Sequence, residues 1–242
     1  MRSAATEGSV QRMRMMTVFE KGEALRFIGH LDLMRTMQRA LRRSNLPVKY
    51  SNGFNPHIRL SFAAPLSVGV VGRRELMEVP VEEGVTEEAY CEALNRVLPE
   101  CMHIVSARAI DDSFPTLMSL VAGSRYTIKL MASPEADSAA AAFDKFMAMD
   151  SYVATRRTKS GDNPCDIRPF VKAGSISKTD EGYEIKLETI VFANGALKPS
   201  LWLDCLCTVA ETSIPAHIIY RDVVLAKDAN DQLIPMEEYI HG

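Results

Sequence analysis

Several things are scarce in this 242-residue sequence, and each scarcity removes a class of protein. No stretch approaches the ~18 uninterrupted apolar residues of a membrane-spanning helix, and the opening "MRSAATEGSVQRMRMM" lacks the apolar core of a secretory signal. Cysteine is limited to Cys91, Cys101, Cys165, Cys205 and Cys207. An odd, scattered set speaks against a disulfide framework and for a reducing, cytoplasmic setting. Cys205 and Cys207 form C-x-C without the two-residue gap or second pair of a zinc knuckle, and are read as buried structural strand residues. There is no C-x3-C-x2-C, so Cys91, Cys101 and Cys165 cannot build the iron–sulfur cluster of a radical SAM enzyme. Phosphate-cradling glycine loops, G-x-S-x-G and H-E-x-x-H are also missing. The residues therefore call for no cofactor and no metal, and commit the chain to no known catalytic class.

Acid is scarce in one region only. Residues 12–74 hold twelve Lys/Arg against three acids, a net of +9, while residues 75–242 hold fifteen against twenty-seven, a net of −12. A basic first third on an otherwise acidic chain is the electrostatic footprint of a polyanion binder. The alternative is a chance cluster on one helix and its flanks.

The pattern of apolar residues predicts a strand over 13–19 and a helix over 30–44. In that helix Leu33, Met37, Ala40 and Leu41 recur at helical spacing, with Met34 beside them. Its other face carries Arg35, Arg39 and Arg42 with Arg43 adjacent, and Asp32 sits in the first turn, where a carboxylate suits the helix dipole. A short strand is expected over 47–50, a turn in "SNGFNP", and an alternating strand in "HIRLSF", with His57, Arg59 and Ser61 on one face. "APLSVGVVG" and "RRELMEVPV" read as two strand pieces around Gly72-Arg73-Arg74, followed by a helix over 86–98 and a strand in "MHIVSARAI". This β-α-β-β-α-β order is ferredoxin-like. It begins again after residue 123: strand "SRYTIKLM", a helix capped by Ser133 with Pro134 behind it, strand "YVATRRT", hairpin loop "KSGDNP", strand "CDIRPFVKAGSIS", strand "GYEIKLETIVF", helix "LKPSLWLDCLC" and strand "AHIIYRDVVLA". The expected class is α+β with two tandem ferredoxin-like units. Residues 1–12 are expected as a disordered leader, 13–111 as a basic first domain, 112–123 as a linker and 124–242 as a second domain.

Candidate functional residues cluster in the basic part. Arg35, Arg39, Arg42, Arg43 and Arg59 have the planar forks that suit phosphate, unless they form only a solvated face. Lys21, Asn55 and His57 flank them, and Tyr50 or Phe54 can stack on a base. In the acidic part "TRRTKSGDNPCDIRP" is a basic island whose Lys159 and Arg168 would continue the track. His30 and His57 are the histidines of the basic part; together they would serve as acid and base on an RNA hydroxyl, or else His30 packs at the helix start.

The stretch "FEKGEALRFIGHLDLMRTMQRALRRSNLPVKYSNGFNPHIRLSFAAPLSVGV" resembles the signature of a bacterial family of unknown function, the radical-SAM-linked proteins. The likeness rests on Phe19, Lys21 and Gly22; on His30, Leu31, Asp32 and Arg35; and on Arg39, Ala40, Arg42 and Arg43. It runs on through Pro47, Tyr50, Ser51 and Gly53 to His57, and later through Lys159, Gly161, Asp166 to Pro169, and Arg221. Ile58-Arg59 departs from it, since the family often has a basic residue directly after the proline-histidine step. Such proteins occur alone or fused to the C-terminus of cobalamin-binding radical SAM proteins, so the resemblance implies a radical SAM protein as partner. The doubled layout with a basic first helix is more loosely similar to RNA-processing endoribonucleases of CRISPR systems, without their glycine-rich C-terminal loop. The expectation is a non-catalytic RNA-binding module serving a radical SAM enzyme in RNA modification. The alternatives are a metal-independent RNA-processing enzyme using His30 and His57, and a pure protein-interaction subunit.

Overall fold

In the computed structural model, which describes residues 13–158, 161–193 and 195–241, the first apolar stretch forms β1 (Met13–Lys21). Successive side chains of a strand point to opposite faces. Met15 and Phe19 accordingly enter one core, and Met16 and Val18 another. The expected leader over 1–12 and Lys159 lie outside the described residues. The 3.6-residue stripe becomes α1 (His30–Arg43), with Leu33, Met37, Ala40 and Leu41 buried. Asn45 follows at φ 56, the left-handed position that ends many helices and that asparagine tolerates. Then come β2 (Ser61–Phe62), β3 (Val70–Val81), α2 (Glu87–Asn95) and β4 (Met102–Asp111). The Thr86 hydroxyl caps α2, accepting from the Ala89 N–H at 3.2 Å.

A short α3 (Leu117–Leu120) leads into the second half: β5 (Gly123–Met131), α4 (Pro134–Met147), β6 (Val153–Thr158), β7 (Gly161–Asp166), β8 (Val171–Thr179), β9 (Gly182–Ile190), α5 (Pro199–Val209) and β10 (His217–Lys227). β11 (Leu233–Pro235) and α6 (Met236–His241) follow. As the sequence predicts, Ser133 caps α4 and Pro134 opens it.

Both halves have the ferredoxin-like element order, and they share one nine-stranded sheet ordered β4-β1-β3-β10-β5-β9-β8, with β2 beside β3 and β11 beside β10. The second half is the complete version, β10-β5-β9-β8, with the β6–β7 ribbon inserted before β8. In the first half the strand corresponding to β8 is β2, only two residues long, and it covers β3 only at Met77 and Glu78. The uncovered N-terminal part of β3 pairs in parallel with β10, Val70–Gly72 against Ile219–Arg221. α1 and α2 pack over Met15, Phe19, Met77 and Val79, and α4 and α5 over Ile128, Ile185 and Leu187, with Phe143, Phe146 and Trp202 between. On the opposite face α3 and α6 cover Met16, Val18, Leu76, Val224 and Ala226 through Leu117, Met236 and Ile240.

Several local expectations need correction. Residues 70–81 are one strand rather than two pieces broken at Gly72-Arg73-Arg74, because Gly72 is held in register on both sides, against Lys21 and Arg221. "CDIRPFVKAGSIS" is not one strand: the Asp166 carboxylate accepts the N–H groups of Tyr152 and Arg168, and Pro169 brings no donor, so the chain turns between β7 and β8. Most of the expected "KSGDNP" loop is β7 itself. "HIRLSF" contributes only Ser61–Phe62 as strand, and residues 47–50 make isolated bridges, Val48 to Val81 and Tyr50 to Ile58. Cys205 and Cys207 are buried, but on α5 rather than a strand, and burial pushes the Cys205 thiol up to about 11. The segment expected as a linker over 112–123 packs through Leu117 and ends in β5.

At the seam between the halves three charges are sealed in: Lys21, Glu75 and Arg221, 1%, 3% and 4% exposed. A Cβ on Gly72 would collide with the Glu75 Cγ, so glycine makes the room that the glutamate side chain fills. Arg221 grips the Glu75 carboxylate with Nε, at 2.7 Å, and Nη2. Nη2 and Nη1 also donate to the carbonyls of Ala64 and Pro65, 3.1 Å each. Burial pushes the Lys21 ammonium down to about 8, with Glu75 pulling it up and Arg221 adding to the fall.

Candidate nucleic-acid interface

The apolar stripe of α1 faces the core, so Arg35, Arg39, Arg42 and Arg43 are turned to solvent. They are not equivalent. Arg43 donates to the Val97 carbonyl at 2.7 Å and is tied to the end of α2. Arg39 reaches only Thr36, and Arg35 only Asp32 at 3.3 Å, an exposed pair worth ~0–1 kcal/mol that leaves the guanidinium available. The Arg42 side chain makes no hydrogen bond or ion pair with a described residue, and the same holds for the Arg59 side chain on the neighbouring segment.

That segment is a closed loop. The Ser51 N–H donates to the His57 carbonyl at 2.8 Å and the Arg59 N–H to the Lys49 carbonyl at 3.0 Å. Gly53 at the tip has φ +124, which a side-chain-bearing residue rarely adopts. Ser51 Oγ accepts the His57 backbone N–H at 3.1 Å and shares a hydrogen bond with His57 Nδ1 at 2.8 Å, which fixes the imidazole. Phe54 is fully exposed, Asn55 is exposed beside it, and Tyr50 is 46% exposed. In water such an aromatic surface is free to stack.

His57, Arg59 and Ser61 open into a cleft of about 430 Å³, walled by Met34 and Gln38 of α1 on one side and by Asp112, Phe114 and Thr116 on the other. Its floor is a buried ion pair, Arg14 with Glu78, 6% and 5% exposed. The Ser61 hydroxyl donates to Glu78 Oε1 at 2.9 Å, and Arg14 also donates to the carbonyls of Asp111 and Phe114. Glu78 thus sits on the face of β3 opposite to Glu75. The cleft opens where β2 gives out.

Other expected site residues lie elsewhere. Lys21 is sealed in the seam, its Nζ donating to the Arg26 carbonyl at 3.4 Å, and takes no part in the exposed basic face. Arg168 caps the end of α4, donating to the carbonyls of Met149 and Met147 at 2.8 and 2.9 Å. The His30 ring meets Phe62 edge-on at 5.3 Å, and His30 is not among the residues lining the cleft that His57 borders. No group of three His, Cys, Asp or Glu among the described residues is placed to hold a metal ion.

A larger concavity of about 650 Å³ lies over β5, β9 and β8. Its charges are matched, Arg125 with Glu188 at 2.8 Å, Lys186 with Glu184 at 3.6 Å, Arg73 with Asp222 at 2.7 Å and Arg74 with Glu237 of α6, as on a solvated sheet face. Sequence reasoning missed Gln38 on the near wall of the smaller cleft, and its floor and far wall, Arg14, Glu78, Asp112 and Phe114. The available signal was a charge inside an apolar strand, as in "MRMM" and "LMEV".

Residues 14–199 match the family described as "Uncharacterized protein conserved in bacteria (DUF2344)". The chain belongs to this family. The matched range takes in α1, the loop after it, the cleft and most of the second half, so the cleft is part of the DUF2344 domain. No curated protein matches the chain. Among solved structures it is similar to an unknown protein from Galdieria sulphuraria, at 10% identity over 87% of this chain and 98% of that one. With a TM-score of 0.24, that likeness carries no argument. No described helix is long and apolar enough to cross a membrane.

Proposed function

We propose that this DUF2344 protein is a non-catalytic RNA-binding module that presents RNA to a separate radical SAM enzyme for modification. One observation carries the RNA half of this reading. Arg35, Arg39, Arg42 and Arg59 are exposed, Phe54 is fully exposed in the loop that leads to Arg59, and the side chains of two of the four arginines have no partner among the described residues. Unpaired guanidinium groups beside an aromatic surface suit single-stranded nucleic acid, with phosphates on the cations and a base on the ring. The partner rests on the sequence resemblance alone.

Fluorescence anisotropy with single-stranded RNA tests the reading. Four phosphate contacts on a single strand predict a slope near −3 in log K against log salt, since each contributes about −0.7. Replacing Arg35, Arg39 and Arg42 together by alanine should flatten it by about 2. Absence of binding at low salt, about 50 mM, overturns the RNA reading. For the partner, co-purification with a radical SAM protein that is lost on nuclease treatment supports presentation through RNA. Nuclease-resistant co-purification without RNA affinity favours the protein-interaction alternative.

A further inference from the structure

We infer that the cleft beside α1 receives one unpaired nucleotide of the bound RNA, with adenine or cytosine preferred to uracil. The inference rests on the RNA-binding reading and adds to it a site and a kind of base. At about 430 Å³ the cleft falls toward the small end of the ~300–1,000 Å³ typical of ligand pockets, suited to a single nucleotide rather than a helix. Met34, Leu60 and Phe114 offer apolar walls for the faces of a base. Arg59 and His57 stand among the lining residues as donors for a phosphate.

The polar groups choose between bases. Gln38 spends an amide N–H on the Ile58 carbonyl at 3.3 Å and keeps its carbonyl oxygen as an acceptor. Glu78 accepts from Ser61 and Arg14, yet a carboxylate has about four acceptor sites. Asp112 adds a half-exposed carboxylate. Against these acceptors stands one notable donor: Arg14 Nε is buried and has no hydrogen bond, with Asp112 Oδ1 3.5 Å away. A floor rich in acceptors with one unspent donor complements an edge that carries an exocyclic amine beside a ring nitrogen, which adenine and cytosine have. Uracil lacks the amine and brings two carbonyl oxygens toward carboxylates. A duplex buries these edges in base pairs and is excluded from such a site.

The test compares labelled oligo(A), oligo(C), oligo(U) and a duplex, each about twelve nucleotides long to fill a typical single-strand site, on the whole chain at low salt. Oligo(A) and oligo(C) should bind at least about fivefold more tightly than oligo(U) or duplex, the effect of roughly one net hydrogen bond. Gln38→Trp and Thr116→Trp fill the cleft from opposite walls and leave the arginine row intact. Each, checked for folding by circular dichroism, should erase the base preference while salt-dependent binding to oligo(U) persists. Equal affinities in the unaltered protein, or a preference that survives in both filled variants, overturn the cleft inference and leave the RNA reading standing. If none of the oligonucleotides binds, both fall together.

Discussion

The two halves of the molecule follow one plan and differ most in one strand: β8 runs for nine residues and its counterpart β2 for two. The complete strand closes its half of the sheet along Val171–Thr179. The reduced one meets β3 only at Met77 and Glu78, and the stretches of β3 to either side have different fates. The N-terminal stretch is taken by β10, which joins the halves and seals Glu75 against Arg221. Past Glu78 only residues 47–49 of the same half reach the strand, at Pro80 and Val81, and the cleft lies beside them, floored by Arg14 and Glu78. Two glutamates three residues apart on one strand therefore mark a seam and a candidate binding site. What separates them is the face of β3 that each occupies and the arginine it meets there, Arg221 for Glu75 and Arg14 for Glu78.

If the seam depends on its sealed charges, removing one partner is the largest lesion available. Arg221→Met leaves Glu75 buried with only Lys21 near it, and should destabilise the protein by about 3 kcal/mol in a denaturant titration. The double variant Arg221→Met with Glu75→Leu should recover most of that loss. A single variant of unchanged stability would mean that the Glu75–Arg221 pair does not help to hold the halves together. Next in size is Gly72→Ala, where the new methyl must displace the Glu75 side chain. Overpacking of this kind costs ~1–3 kcal/mol, and the melting temperature should fall accordingly.

The smallest effect is the most specific to the seam. Burial holds the Lys21 ammonium near 8 in the folded state, below its ordinary value of 10.5. Between those two values the unfolded chain binds more protons than the folded one, so this residue's contribution to stability rises with pH across the window. Wild type should gain on Lys21→Met by on the order of 1 kcal/mol between about pH 7 and pH 10, because the variant has no ammonium to discharge. Parallel stability curves for the two proteins across that window would show that Lys21 is not sealed.

The order of elements was legible because it depends on local periodicity. The 3.6-residue stripe of α1 and the alternation in β1 and β9 are visible within single windows of sequence. What was hidden depends on distant partners. Gly72 looked like a strand break because its neighbours in space, Lys21 and Arg221, lie far away in the chain. Lys21 and Arg168 looked like surface cations because nothing nearby in sequence announces Glu75 or the carbonyls at the end of α4. The near side of the cleft comes from one continuous stretch and could be named in advance through His57 and Arg59. Its floor and far wall come from β1, β3 and residues 112–116, which no single window shows together.

The position of β10 has a consequence for how the chain acquires its shape. It is the central strand of the seven-strand path, yet it is made of residues 217–227 and is synthesised after every strand except β11. Until it emerges from the ribosome, β3 and β5 present open edges to each other with no backbone partner between them. Domains tend to form in order of synthesis, and contacts that span long stretches of chain are slow to close. The two halves of the sheet can therefore be bridged only after almost the whole chain has been made, and until then the facing edges of β3 and β5 are of the kind that invites pairing with another chain.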